Sequence, residues 1–233
     1  MKYKAILFDL DGTLLPMNME EFTQGYFYQL ALVMAPYGID GQSLTKSIWY
    51  ATKAMMANDG SKSNMEVFWE NFISVTKLDK DKITPVLDTF YTKEFNNAKS
   101  NTKDNPLAKQ VVDLAHKCGR KVALASNPIF PLDGQISRLH WVGLDKSDFD
   151  LITSYESESY CKPHINYYLS ICKRLGVEPQ ECLMIGNDLK EDMYGASQAG
   201  IDCYLVEDCV IDNKDYPYNG KKGSFEALLE LLS

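Results

Sequence analysis

Asp9 and Asp11 stand one residue apart in the run Phe8-Asp9-Leu10-Asp11-Gly12-Thr13, directly behind the apolar stretch Ala5-Ile6-Leu7. The pattern delivers two carboxylates to the end of a buried strand. Asp is a poor strand former and is seldom buried unpaired. Two of them this close repel unless a cation or a proton lies between them, and Gly12 lets the chain turn away sharply. Three further segments follow: Val122-Ala123-Leu124-Ala125-Ser126-Asn127, an apolar strand ending in a hydroxyl and an amide; Cys161-Lys162-Pro163, a lone lysine before a helix that Pro163 can start; and Cys182-Leu183-Met184-Ile185-Gly186-Asn187-Asp188, a strand again ending in a carboxylate, with Lys190, Glu191 and Asp192 just beyond. Carboxylates at strand ends make a hard oxygen site suited to Mg²⁺, which takes few protein carboxylates together with waters and a phosphate oxygen. A hydroxyl, backbone amides and an ammonium are what the other phosphoryl oxygens need. A carboxylate can itself attack phosphorus and split one difficult step into two.

In order and residue type, these four segments resemble the motifs of the haloacid dehalogenase superfamily: an Asp-x-Asp pair, a Ser or Thr, a Lys and a second acidic pair. The resemblance runs from the first residues to about Gly200. It implies a Mg²⁺-dependent hydrolase in which Asp9 is the nucleophile and a metal ligand. Asp11 is then general acid and later general base, with its backbone carbonyl on the metal. Ser126 binds phosphoryl oxygens, with Asn127 and Gly12 beside it, and Lys162 neutralises the crowded charge. Many relatives carry Asp directly after the glycine of the last motif, where this chain has Asn187. The metal ligand is therefore expected at Asp188, with Asp192 and Asn187 in support. Relatives that cleave carbon–halogen or carbon–phosphorus bonds need no carboxylate at the position of Asp11, whereas phosphate monoester hydrolysis does. The implied activity is a phosphatase for a small phosphorylated metabolite. A phosphotransferase or phosphomutase of the same superfamily, and a non-catalytic phosphate-binding regulatory protein, stay open at this point.

Plainer roles exist for each segment taken alone. Ser126-Asn127 suits a turn, Lys162 could be an ordinary solvated lysine, and Asp188 with Asp192 could complement a helix dipole. None of these accounts for their joint order. With 24 basic and 32 acidic residues the net charge is −8, which argues against nucleic acid or an anionic membrane as partner. The apolar run after Met1-Lys2-Tyr3-Lys4 is too short for a signal peptide, and no stretch approaches the roughly 20 residues of a membrane span. The setting implied is cytoplasmic. Cys118, Cys161, Cys172, Cys182, Cys203 and Cys209 show no C-x-x-C pairing and read as reduced structural thiols. His116, His140 and His164 lack zinc spacing and read as structural or surface residues.

The elements that must position these groups alternate helix and strand from Pro106 onward. A helix from Pro106 to Cys118, the Val122 strand, a helix through Ile136, Leu139 and Val142, a strand over 149–153 and a helix closed by Gly176 come first. The Leu183 strand, a helix to Gly200, a strand from Cys203 to Val206 and a helix from Ser224 follow. Such alternation predicts an α/β fold, a Rossmann-like parallel sheet with helices on both faces and ligands at the carboxyl ends of its strands. Between Met17 and Lys103 the spacing is helical. Asn18 and Glu21 precede Phe22, Tyr26, Leu30 and Val33; Ser63 and Glu66 precede Val67, Phe68, Phe72 and Val75; Ile83, Val86, Leu87, Phe90 and Tyr91 form a third set. The expected division is a core of 1–16 and 104–233 interrupted by an α-helical cap of 17–103. Asn101 to Asn105 is the expected hinge, and Tyr26, Tyr28, Trp49, Tyr50, Phe68 and Trp69 are expected in the bundle interior.

Overall fold

A computed structural model describes residues 2–233. Six parallel strands form one sheet: β1 (Ala5–Phe8), β2 (Lys121–Leu124), β3 (Leu151–Ile152), β4 (Cys182–Gly186), β5 (Asp202–Val206) and β6 (Lys221–Gly223), in the order β3-β2-β1-β4-β5-β6. This is the doubly wound order, with β1 central and the sequence running outward on each side of it. Alternate side chains of each strand feed two separate cores, as the period of two requires. Ile6, Phe8, Val122, Leu124, Leu183 and Ile185 join one, while Ala5, Leu7, Ala123, Met184, Cys203 and Leu205 join the other. The first core is covered by α5 (Ala108–Lys117), α6 (Leu132–Trp141) and α9 (Leu228–Leu231). The second lies under α7 (Ile165–Leu175) and α8 (Gly195–Gln198). The α/β class and its helix-covered parallel sheet therefore stand as the sequence implies.

Between β1 and α5 the chain is helical: α1 (Met19–Met34), α2 (Gly41–Met56), α3 (Asn64–Thr76), α4 (Lys80–Thr92) and a 3₁₀ segment Glu94–Asn101. The caps follow the chemistry of their sequence. Asn18 accepts from the amides of Glu20 and Glu21, and Ser63 with Glu66 forms a complete capping box. The two crossings between this helical segment and the core lie side by side, joined by the Met17–Thr102 bridge and by Lys103 N donating to Pro16 O at 2.8 Å.

Several local expectations need correction. α2 lies outside the three expected helical sets, although the Asp40 cap and Leu44, Ile48, Ala51 and Met55 at helical spacing mark it. Tyr28, Trp49 and Tyr50 are exposed, not interior, because they sit on the outward faces of α1 and α2. Tyr26 and Trp69 are buried as expected. Asn105 is no loose hinge: it is buried, donating to Leu14 O at 3.0 Å and accepting from Leu107 N at 3.2 Å. The second half of the helix expected to run to Gly200 is α8, preceded by a π-helical turn, Leu189–Tyr194. The strand expected over 149–153 shortens to two residues, the last helix starts only at Leu228, and β6, Lys221–Gly223, carries no apolar signal because it is an exposed edge.

Candidate active site

Asp9, Ser126 and Asn187 come from three neighbouring strands. In register, Phe8 lies opposite Leu124 on one side and Ile185 on the other. Residues one or two past those positions therefore meet at one edge of the sheet, and Asp9 N donates to Ile185 O at 2.9 Å. The crevice outside the carboxyl ends of β2, β1 and β4 is where this topology binds ligands.

Lys162 occupies its centre. Its side chain is 1% exposed, and its ammonium donates to Asp9 Oδ1 at 2.9 Å and to Asp192 Oδ1 at 2.6 Å. Burial works against the ammonium, but the carboxylates of Asp192 and Asp9 outweigh it and hold the lysine firmly charged. The reading of Lys162 as a solvated lysine is thereby overturned. Pro163 does not open the following helix. His164 does, its ring accepting from Asn166 N at 3.1 Å, and α7 begins at Ile165. The histidine thus has the structural role expected of it.

Around β4 the chain folds back tightly on itself. Asp192 Oδ2 accepts from the amides of Asn187 and Asp188, each at 3.0 Å. This is possible only because Gly186 has no side chain: a Cβ there would lie 2.2 Å from the same carboxylate oxygen. The π-helical turn that presents Asp192 begins with Asp188, whose carbonyl accepts from both Asp192 N and Met193 N. Asp188 also caps that turn, Oδ1 accepting from Lys190 N at 2.8 Å and Glu191 N at 2.7 Å. Helix capping and a seat at the crevice are both true of Asp188.

Asn187 proves to be a brace. Its amide takes Thr13 Oγ1 at 3.2 Å, donates to Cys209 O at 2.7 Å, and lies against Gly12, where a Cβ would come within 2.2 Å of Asn187 Nδ2. Gly12 adopts φ +88°, the left-handed conformation that favours glycine. Ser126 is buried, its carbonyl held by Thr153 Oγ1 at 2.7 Å and by the Tyr167 hydroxyl at 2.8 Å. The Asn127 amide spans two elements, donating to Glu191 Oε2 at 2.9 Å and accepting from Lys162 N at 3.3 Å.

Two groups with no expected role also stand at the site. Arg138, with no exposed side-chain surface, pairs with Asp11 Oδ2. It also donates to Gln135 Oε1 at 2.7 Å and to Gly134 O at 3.1 Å. Arg138 follows Gln135 by three residues on the face of α6 that packs inward, while Ile136 is only half-buried, an orientation that the structure and not the sequence discloses. Glu191 is the other. Burial raises its carboxyl to about 8 despite the nearby Lys162. Asp9 is likewise raised, to about 7, first by burial and then by Asp192 and Asp11, with Lys162 opposing. Asp188 is raised by burial against two backbone hydrogen bonds.

The doubly wound parallel sheet, with carboxylates gathered on one buried ammonium at its open end, defines a protein of the Rossmann-like α/β class. A family model for haloacid dehalogenase-like hydrolases matches residues 3–200, and the chain belongs to that family. It is 26% identical over 212 residues to the glyceraldehyde 3-phosphate phosphatase of Methanothermobacter thermautotrophicus, covering 87% of this chain and 85% of that one. The crystal structure of a HAD phosphatase from Thermococcus onnurineus is 23% identical, covers 99% of this chain and 98% of its own, and superposes with a TM-score of 0.63. A 2-haloacid dehalogenase from Pseudomonas syringae, 16% identical with 99% and 98% covered, gives 0.64. These two likenesses concern the fold.

Proposed function

We propose that this protein is a phosphatase that hydrolyses a small phosphate monoester through an aspartyl-phosphate on Asp9. The observation that carries the reading is Lys162, buried and bonded at once to Asp9 and Asp192 beside the loop of Ser126. Membership in a hydrolase family and the likeness to a sugar-phosphate phosphatase support it.

With Asp9 Oδ1 held by Lys162, Oδ2 is the oxygen that attacks. A bond forms from Asp9 to phosphorus as the ester P–O bond breaks, and the departing oxygen keeps the electron pair and takes a proton from Asp11. Asp11 then accepts a proton from water, the water oxygen bonds to phosphorus, and the bond to Asp9 breaks to release phosphate. Asp11 must leave Arg138 to do this. The Ser126 hydroxyl, the Asn127 amide and the backbone at Gly12 bind the phosphoryl oxygens, whose charge Lys162 balances.

The donor set fits Mg²⁺. Asp9, Asp188 and Glu191 all bind protons more tightly than free carboxyls do, burial being the first cause in each, and a single ammonium faces them. A divalent cation would stabilise the ionised form of such buried carboxylates where a proton otherwise does. The carboxylates of Asp9 and Asp188 and the carbonyl of Asp11 would hold it. Among the described residues no three His, Cys, Asp or Glu side chains gather at one point, so the other positions around the ion would fall to waters and a substrate oxygen. When bound, the ion neutralises charge on the phosphoryl group.

Residues 17–103 act as a cap over the crevice, with 1–16 and 104–233 as the core. The small-molecule preference follows from that cover. Among the described residues no helix is long and apolar enough to cross a membrane. Six unpaired cysteines suit the reducing cytoplasm that we propose as its setting.

Turnover of p-nitrophenyl phosphate with Mg²⁺, monitored as inorganic phosphate release and abolished by chelator, tests the reading. Absence of turnover by correctly folded protein with Mg²⁺ refutes it.

A further inference from the structure

Two thiols face each other in the second core. Cys172 of α7 and Cys182, the first residue of β4, are both buried, and their sulfurs lie 3.7 Å apart. By contrast, the Cys161 thiol donates to Met55 O at 3.7 Å, and that of Cys203 to the carbonyls of Met193 and Ile201, each at 3.5 Å. The hydrogen bond with Cys182 holds the Cys172 thiol below its ordinary value against burial, while the same contact and then burial raise Cys182. Cys172 is therefore the sulfur that ionises first, and the thiolate is the form that reacts. The pair lies close under the surface. Lys173 and Arg174, next to Cys172, and Glu178, whose carbonyl accepts from Cys182 at 3.5 Å, are all exposed.

The helix that carries Cys172 also holds the crevice. It begins at Ile165, just after Lys162. Its Tyr167 hydroxyl donates to Ser126 O at 2.8 Å, and its Tyr168 hydroxyl donates to Glu191 O at 2.5 Å. Tyr168 and Cys172, at i and i+4, share the buried face of α7. A disulfide bond is about 2.05 Å long, so these sulfurs must approach by about 1.7 Å to form one. Strand β4 is hydrogen-bonded on both sides, to β1 and β5, so α7 is the element that yields. Moving it displaces the two hydroxyls that brace Ser126 and Glu191. A misplacement of about 1 Å at a positioning element can cost about 10²-fold in rate.

We propose that Cys172 and Cys182 are a modification site, closing to a reversible disulfide on exposure to hydrogen peroxide, and that this bond lowers turnover by drawing α7 toward β4. The Cys172 thiolate attacks one peroxide oxygen and breaks the O–O bond, giving a sulfenic acid; the departing hydroxide takes a proton and leaves as water. The Cys182 sulfur, having lost its proton, then bonds to the Cys172 sulfur as the S–O bond breaks, and that hydroxide leaves, protonated, as a second water. Two thiols lose two electrons, and peroxide is reduced to two waters. The effect on turnover rests on the phosphatase reading above; the bond does not.

The test exposes wild-type protein to peroxide, blocks the remaining thiols with N-ethylmaleimide and digests without reductant. Trypsin cuts after Lys173 and Arg174, between the two cysteines, so the disulfide is read by mass spectrometry as a cross-linked pair of peptides. In the same sample kcat for p-nitrophenyl phosphate with Mg²⁺ is expected to fall about tenfold and to recover in dithiothreitol. Amide hydrogen exchange over Ile165–Leu175, expected to change on oxidation, reads the displacement of α7 without turnover. Cys172→Ala and Cys182→Ala are expected to keep the activity of the reduced protein and to lose its response to peroxide. No cross-linked peptides from wild-type protein, unchanged exchange and turnover once they form, or a peroxide response that survives in Cys172→Ala overturns the proposal. Reduced, folded protein without turnover overturns the phosphatase reading instead, while the cross-linked peptides and the exchange of α7 still decide the disulfide.

Discussion

Asp11 pairs with Arg138, a residue with no exposed side-chain surface on α6, while the crevice's ammonium, Lys162, pairs with Asp9 and Asp192. The guanidinium is fully engaged, by Asp11, by Gln135, by the carbonyl of Gly134 and by the face of Phe130. Asp11 is not: its Oδ1 is buried without a hydrogen bond. The proposed acid and base is thus secured on one oxygen and unsatisfied on the other, which favours a side chain that changes partner during the reaction. Breaking a buried pair by truncating one member costs about 3–5 kcal/mol because the other charge is left behind. Arg138→Leu should destabilise the protein by roughly 3 kcal/mol in denaturant titration. A double-mutant cycle with Asp11→Asn should give a coupling of about 1–3 kcal/mol. Additive effects would show that the contact carries no energy.

Removing the proposed nucleophile should leave a folded, inactive protein. An amide cannot attack phosphorus as a carboxylate does, so Asp9→Asn should lose at least about 10³-fold in kcat with its circular dichroism spectrum unchanged. Activity near that of the wild type would sink the covalent route.

Asp11 should behave differently. Asp11→Asn loses proton donation to the leaving oxygen and activation of water, about 10²–10⁴-fold in all. With an aryl phosphate, whose leaving group needs no proton, the second step should suffer more than the first. Phosphorylated Asp9 should then accumulate and be visible by mass spectrometry after acid quench.

The pH dependence of stability follows from Asp9. Burial, partly opposed by Lys162, raises its carboxyl from 3.8 to about 7. The folded protein therefore holds this proton more tightly than the unfolded chain. The stabilisation is complete below about pH 3.8 and is lost as pH rises through about 7, a change on the order of a few kcal/mol. In chelator, wild type minus Asp9→Asn stability should decline between pH 5 and pH 8. Added Mg²⁺, by favouring the ionised carboxylate, should flatten that decline if Asp9 is a ligand. An unchanged slope with Mg²⁺ would remove Asp9 from the metal site.

Much of this protein was legible in one dimension because its chemistry sits at strand ends. Strand ends have sequence signatures: Ala5-Ile6-Leu7 before Asp9, Val122 to Ala125 before Ser126, and Leu183 to Ile185 before Gly186 are apolar runs interrupted by polar residues that a buried strand would reject. Helix starts were legible too, since Ser63 with Glu66 is a local capping device whose partners lie three residues apart. The parallel sheet follows from alternation alone.

What the sequence could not disclose are relationships between residues far apart along the chain. Arg138 lies 127 residues from Asp11, and no local pattern marks a guanidinium as the partner of one particular carboxylate. Asn187 reads as a departure from a ligand motif until its amide is found against Gly12 and Thr13, 174 residues from the latter. The aromatic residues of the helical segment show the same division. Periodicity states that one side of each helix is buried, but whether Tyr50 faces solvent while Tyr26 and Phe22 are buried depends on how the helices rotate and meet. The residue types and order of the proposed catalytic groups were determined by the sequence. Their pairing, their charge states and the space beside them were decided by the tertiary structure, because burial and distance, not chain position, set the energy of a charge and the shape of a void.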